Sequence, residues 1–151
     1  MYWCFHCYAV NDHPAGPCDV CGRPVEAPAG LSYIDGLIWA LHHPDGDRAL
    51  TAAQILGRLL AREAAPALRA VATEDGADIY VREAAVRSVL AIEGAGPLRP
   101  WLEELSRCAP FNVRAVAQRA LRAALGRVSW DEAEGPAVNC TRANGPCLDD
   151  R

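Results

Sequence analysis

The sequence predicts an all-α fold: a solenoid of three stacked helix pairs, six helices in all, behind a short metal-held N-terminal segment. The first observation behind this is a pattern that recurs at an offset of 32 residues. Ala49, Ala53, Leu56 and Leu60 return as Val81, Ala85, Ser88 and Ile92, then as Val113, Ala117, Ala120 and Ala124. Their spacing of i, i+4, i+7 and i+11 sets them on one stripe of a helix. A lone unit cannot bury such a stripe, so stacked units share a core. The second observation is a double Cys-x-x-Cys pattern, Cys4/Cys7 and Cys18/Cys21. The third is punctuation by Gly76, Gly94 and Gly96, placed where helices should end.

Composition narrows the function classes. At 51% hydrophobic and 23% charged, the 151-residue chain can build a core, and its composition weighs against wholesale disorder. A net charge of −4 weighs against a whole-chain polyanion binder. All 15 basic residues are Arg, which rules out Schiff-base lysines and a phosphate-loop lysine. No apolar run approaches the roughly 18 residues that span a bilayer, and Met1-Tyr2-Trp3-Cys4 does not open a signal peptide. A cytoplasmic protein with no membrane partner is expected.

Residues 1–26 form the first element. Two Cys-x-x-Cys turns separated by ten residues supply four thiolates, Cys4, Cys7, Cys18 and Cys21, with the reach to hold one Zn2+ at about 2.3 Å. Four sulfurs fill a tetrahedral shell and leave no open position for water, so the zinc is expected to be structural. Gly22 suits the positive-φ backbone that closes such a knuckle. A redox Cys-x-x-Cys would need flanking strands and a helix, which this segment lacks. His6 sits inside the first turn but is surplus to a complete ligand set and is expected to be exposed.

Trp3, Cys4, Cys7, Asn11, Cys18 and Cys21 together resemble the small zinc ribbon of Ran-binding nucleoporins, RNA-binding splicing proteins and NZF ubiquitin-binding domains. The resemblance covers about the first 25 residues and implies the ribbon fold and the four ligands. Trp3 directly precedes Cys4, whereas the family usually has one residue between. The ubiquitin binders carry Thr-Phe or Thr-Tyr where this chain has Tyr8-Ala9, and the RNA binders carry Arg where it has DHPAGP. Trp3, Tyr8 and Val10 are expected either to form an exposed partner-binding face or to pack on the repeats.

Residues 27–30 read as a linker, and residues 31–126 as the repeats. Helices are expected over about 31–42, 47–61, 64–74, 78–93, 96–108 and 111–126. Ser32, Asp47, Asp78 and Asn112 are the expected N-caps, and Pro66 and Pro97 open outer helices. Trp39 should ride on the apolar side of the first helix, and the adjacent His42 and His43 diverge too far to share a metal. Asp78, Val81-Arg82, Ala85 and Val89, and again Val113-Arg114, Ala117 and Leu121, resemble the phrase that opens the second helix of HEAT repeats. A three-repeat HEAT-like α-solenoid is therefore implied. In that family the Arg at positions 82 and 114 pairs with Asp or backbone between repeats.

The functional expectation is a non-catalytic adaptor that binds a protein or peptide in its groove. Arg114, Arg119, Arg122 and Arg127, on a segment without acids, are the best candidates for an acidic contact, or equally a solvated face neutralised by Asp131, Glu132, Glu134, Asp149 and Asp150 of the tail. One alternative is single-stranded nucleic-acid binding through the ribbon and this Arg-rich helix. Another is a small HEAT-like enzyme or lyase using the groove near Trp39 and Trp101, although no short catalytic signature is present. In the tail, 127–151, Trp130 is expected to cover the last repeat. Cys140 and Cys147 are left as a disulfide, a second metal site with Cys108 or a His, or free thiols.

Overall fold

The computed structural model describes residues 1–126. Expectations for Arg127, Trp130, Cys140 and Cys147 lie outside the described residues. The chain opens with a short antiparallel ladder of β1 (Tyr2–Trp3) and β2 (Val10–Asn11), in which Tyr2 faces Asn11 and Trp3 faces Val10. Six α-helices follow: α1 (Tyr33–Ala40), α2 (Gly46–Arg58), α3 (Ala65–Thr73), α4 (Ile79–Glu93), α5 (Arg99–Cys108) and α6 (Phe111–Ala124). A 3₁₀ turn at Arg62–Ala64 leads into α3.

The recurring stripe is the core. Ala49, Val81 and Val113 are buried, as are Ala53, Ala85 and Ala117, and then Leu56, Ser88 and Ala120. Packing between units runs through the second helices, α2 on α4 and α4 on α6, while α1, α3 and α5 each back onto their own partner. Small residues let the second helices come close. A Cβ built on Gly57 of α2 would lie 2.7 Å from the Cβ and 2.9 Å from the Cα of Ser88 on α4. The Ser88 hydroxyl donates 2.8 Å to the Ala53 carbonyl, so the one polar side chain in the stripe is satisfied across the same contact.

The fourth position of the stripe departs from expectation. Leu60 is 56% exposed, because α2 ends at Arg58 rather than near residue 61. Leu60 takes φ +52°, its N–H donates to Gly57 O, and Ala61 N–H donates to Leu56 O. That pair of bonds is a Schellman cap, here with a leucine in the left-handed position usually given to glycine. In the third unit Ala124 is the last residue of α6 and is exposed.

Caps are partly as expected. Ser32 accepts from Asp35 N–H, and Asp78 accepts from Tyr80 and Val81 N–H. Asp45, not Asp47, caps α2: its side chain accepts the N–H of Asp47, two residues later. Pro110 precedes α6, so Asn112 falls inside the first turn rather than at the cap. Pro100, not Pro97, lies in the first turn of α5, where its missing N–H costs little.

Arg82 is buried on α4, donating Nε–H to Ala72 O at 3.1 Å and Nη1–H to Asp75 at 3.5 Å. It ties the end of α3 to the start of α4, a structural role. Arg69 of α3 pairs with Glu93 at the end of α4, and its guanidinium lies 5.8 Å from the Trp101 ring of α5. Trp101 is thereby engaged in helix packing.

Candidate metal centre

Each Cys-x-x-Cys closes by the same local geometry. Tyr8 N–H donates to Cys4 O and Gly22 N–H to Cys18 O, bringing the two sulfurs of each turn to one side. The amide two residues after the first Cys points at its sulfur: His6 N lies 3.4 Å from Cys4 Sγ, and Val20 N 3.4 Å from Cys18 Sγ. The residue after each second Cys adopts left-handed backbone, Tyr8 at φ +60° and Gly22 at +71°. The glycine was legible as a knuckle residue; the tyrosine was not.

Asn11 joins the two turns. It is buried, donates from Nδ2 to Ala9 O at 2.9 Å, and accepts Asp19 N–H at 3.0 Å. Its side chain thus links the end of the first knuckle to the middle of the second. A bridge between Pro17 and Pro24 holds the base of the second turn.

The four sulfurs all lie within 4.8 Å of one another. Cys4 and Cys21 approach to 3.7 Å, and so do Cys7 and Cys18. A tetrahedral ion with metal–sulfur bonds of about 2.3 Å has sulfur–sulfur edges of roughly 3.8 Å, so this geometry fits one. It does not fit disulfides, whose bonds are about 2.05 Å. The thiols differ in pKa. Cys18 is lowered to about 6 by hydrogen bonds from the backbone of Cys21 and Val20. At Cys7 the Ala9 backbone works to lower the value, but burial and the neighbouring Cys21, Cys18 and Cys4 thiols push it up to about 12. A metal at this site would need its sulfurs as thiolates, and the positive charge of the ion would favour that form.

The knuckle is seated on the helices. Trp39 of α1 stacks on Phe5, with ring centres 4.9 Å apart and planes at 8°, and on Tyr8, also at 4.9 Å and at 22°. Trp39 Nε1–H donates to Phe5 O, and Tyr8 O–H donates 2.7 Å to Trp39 O. Trp3 meets His43 edge-on at 4.8 Å. Trp3 and Tyr8 are half-buried parts of this joint, so of the two arrangements expected of them the packing on the repeats is the one described. Val10 is 43% exposed and stays outside it, and His6 is exposed as expected. The places of Phe5 and His43 in the joint escaped the sequence reading; the only signal was an aromatic residue inside the first Cys-x-x-Cys.

His43 is 5% exposed and does not act as a ligand. Its Nδ1 accepts the Asp45 N–H at 3.0 Å, which makes the ring the neutral tautomer protonated at Nε2. Nε2 has no hydrogen-bond partner among the described residues. Burial and the nearby Arg48 lower its pKa, against a smaller opposing effect of Asp45.

Of the other predicted positions, Arg114 and Arg119 are half-buried on α6 and Arg122 is exposed there; Cys108 ends α5 on the surface. The knuckle and the Arg-bearing helix are the first and last described elements, and α1 packs on α2 rather than on α6.

A family model described as HEAT repeats matches residues 34–123. The chain is a HEAT-repeat protein. The matched span begins within α1 and ends within α6, so it takes in all six helices and leaves the knuckle outside. No curated protein and no solved structure matches this HEAT-repeat chain. No described helix is long and apolar enough to cross a membrane.

Proposed function

We propose that this HEAT-repeat protein is a non-catalytic scaffold that binds a protein or peptide along the exposed side of α2, α4 and α6, and that its N-terminal knuckle holds a structural zinc ion. The observation that carries the scaffold reading is the continuous layer of second helices, each buried on one stripe and open on the opposite side. Such a surface recognises an extended or helical partner segment. Four sulfurs at tetrahedral spacing support a zinc ion, and with every position filled the ion would have no site for substrate. The likeness to Ran-binding and NZF ribbons supports the fold of residues 1–26 and its four ligands. The boundaries that go with this reading are 1–26 for the ribbon, 27–30 for the linker and 31–126 for the repeats. A thiolate site needs reduced sulfur, which the cytoplasm supplies.

Photo-crosslinking residues placed one at a time at Thr51, Glu83 and Ala115 test the groove, since these occupy the same register on α2, α4 and α6, roughly opposite the buried stripe. The scaffold reading expects all three to capture one common partner, and a probe at Glu104 of α5 to capture none. Equal capture from Glu104, or none from the groove, overturns it. Native mass spectrometry tests the metal: one zinc per chain is expected, while an iron-loaded or metal-free native protein refutes the zinc assignment.

A further inference from the structure

The three second helices share one register, so each shows what its neighbours have gained or lost. On α4, Arg87 is paired with Glu83 one turn back, with Nε 3.2 Å and Nη2 3.1 Å from the carboxylate. The equivalent of Arg87 on α6 is Arg119, and the equivalent of Glu83 is Ala115. The basic residue is kept and its intrahelical acid is gone.

The same loss occurs at the next position. Arg82 on α4 has Asp75 from the loop between Thr73 and Ile79. Its equivalent on α6 is Arg114, but the corresponding loop is only Ala109-Pro110 and contains no acid. The third case is a gain. Leu90, buried on α4, is replaced on α6 by the exposed Arg122. Among the described residues, no carboxylate forms an ion pair with Arg114, Arg119 or Arg122.

Their placement makes one surface. With Ala117 as the centre of the buried stripe, Arg119 and Arg122 point about 160° and 140° away from it, and Arg114 sits on the flank at about 60°. The three span nine residues, or about 12 Å of helix. A peptide can match that length with two or three carboxylates. A nucleic-acid backbone would need a longer continuous basic track, and the neighbouring α5 instead carries Glu103 and Glu104 on a chain of net charge −4.

We propose that α6 is a docking face for an acidic polypeptide segment, whose carboxylates are taken by Arg114, Arg119 and Arg122. This rests on the scaffold reading and adds to it the chemistry of the partner. Forked guanidiniums take carboxylates in bidentate fashion, which gives register as well as attraction.

The test is fluorescence anisotropy on the full chain with a labelled synthetic peptide of about 12 residues carrying Glu at every fourth position. Comparison probes are the same peptide with Gln for Glu and a single-stranded oligonucleotide of similar length. Saturable binding of the Glu peptide is expected, at least about tenfold tighter than the Gln peptide. Arg119→Glu with Arg122→Glu should weaken it a further tenfold or more, while Arg62→Glu, one such charge reversal on the exposed 3₁₀ turn, should alter it less than about twofold. Single Arg119→Ala and Arg122→Ala variants, checked by circular dichroism, give the same ordering if the double variant does not fold. No saturable binding, equal effects of Arg62→Glu, or tighter binding of the oligonucleotide overturns the proposal. Groove crosslinks from Thr51 and Glu83 that persist in the Arg variants would leave the scaffold reading standing while this face fails.

Discussion

Tyr8 and Trp39 fasten the metal knuckle to the first helix: their rings stack 4.9 Å apart and the Tyr8 hydroxyl donates 2.7 Å to the Trp39 carbonyl. The donor sits directly after Cys7, in left-handed backbone at φ +60°, so the backbone turn that closes the first knuckle also aims the ring at α1. Helix α1 is eight residues long and has no fully buried side chain. An isolated helix of that length is unstable in water, so its order depends on the surfaces packed against it.

Metal removal should therefore reach beyond the knuckle. A chelator is expected to release the ion, unfold residues 1–26 and strip α1 of hydrogen-exchange protection, while α4 keeps its own. Trp39 should report the same event as a red shift in fluorescence as its ring becomes wet. Unchanged protection across Tyr33–Ala40 after complete metal loss would show that the joint does not support the helix.

Tyr8→Phe isolates the hydrogen bond from the stack. Losing a hydrogen bond whose carbonyl acceptor is part-buried should cost about 0.5–1.5 kcal/mol. Trp39→Ala, which removes both stacks and the bond to Phe5, should cost about 2–4 kcal/mol. Thermal melts of the metal-loaded protein measure both, and equal losses would mean that the stacking contributes nothing.

His43 should make this joint acid-sensitive. Its pKa in the folded chain is lowered, chiefly by burial, so the unfolded chain takes up the proton first as pH falls. Stability is then complete above the ordinary histidine value of about 6.5 and declines as pH drops below it, by at most about 1.4 kcal/mol per pH unit. Protonation would also set an Nδ1–H against the Asp45 N–H that it now accepts. Denaturant titrations at pH 7 and pH 5, on wild type and on His43→Phe, separate this from acid release of the metal, which both share. The wild type should lose more; equal losses exclude His43 as the cause.

The repeat was readable because its physics is periodic: a stripe of Ala, Val and Leu at helical spacing has to be buried, and Ala53, Ala85 and Ala117 are. The four sulfurs were readable because ligand spacing is local. Contacts made across distance were not. Nothing near Trp39 in the chain announces Phe5 or Tyr8, which lie 34 and 31 residues away. Nor does the pattern show where a stripe stops, since Leu60 continues the period while its backbone has already left the helix.

Gly57 tests the close approach of α2 and α4. In an ordinary helix Gly→Ala gains up to about 1 kcal/mol, and here the added methyl would meet the Cβ and Cα of Ser88 at 2.7 and 2.9 Å. Pushing two packed helices apart costs about 1–3 kcal/mol, so Gly57→Ala should be destabilising on balance. Ser88→Ala removes the Oγ contact but leaves both carbon contacts, and it takes one donor from the Ala53 carbonyl. The double variant should therefore not recover wild-type stability, and a melt showing full rescue would place the clash at the hydroxyl alone.

Leu60→Gly is the opposite case, a substitution expected to stabilise. Left-handed backbone costs a non-glycine residue about 1–2 kcal/mol, and the Leu60 side chain is 56% exposed, so little burial is lost. Against this stands the greater freedom of glycine in the unfolded chain, about 0.5–1 kcal/mol. The net expectation is a gain of roughly 0.5 kcal/mol. Both Schellman bonds, Leu60 N–H to Gly57 O and Ala61 N–H to Leu56 O, use backbone atoms and survive the change. Urea denaturation, compared with Leu60→Ala, decides it. Alanine trims the same side chain but keeps the strain, so a Gly variant no more stable than the Ala variant would show that the left-handed turn at residue 60 is not a source of strain.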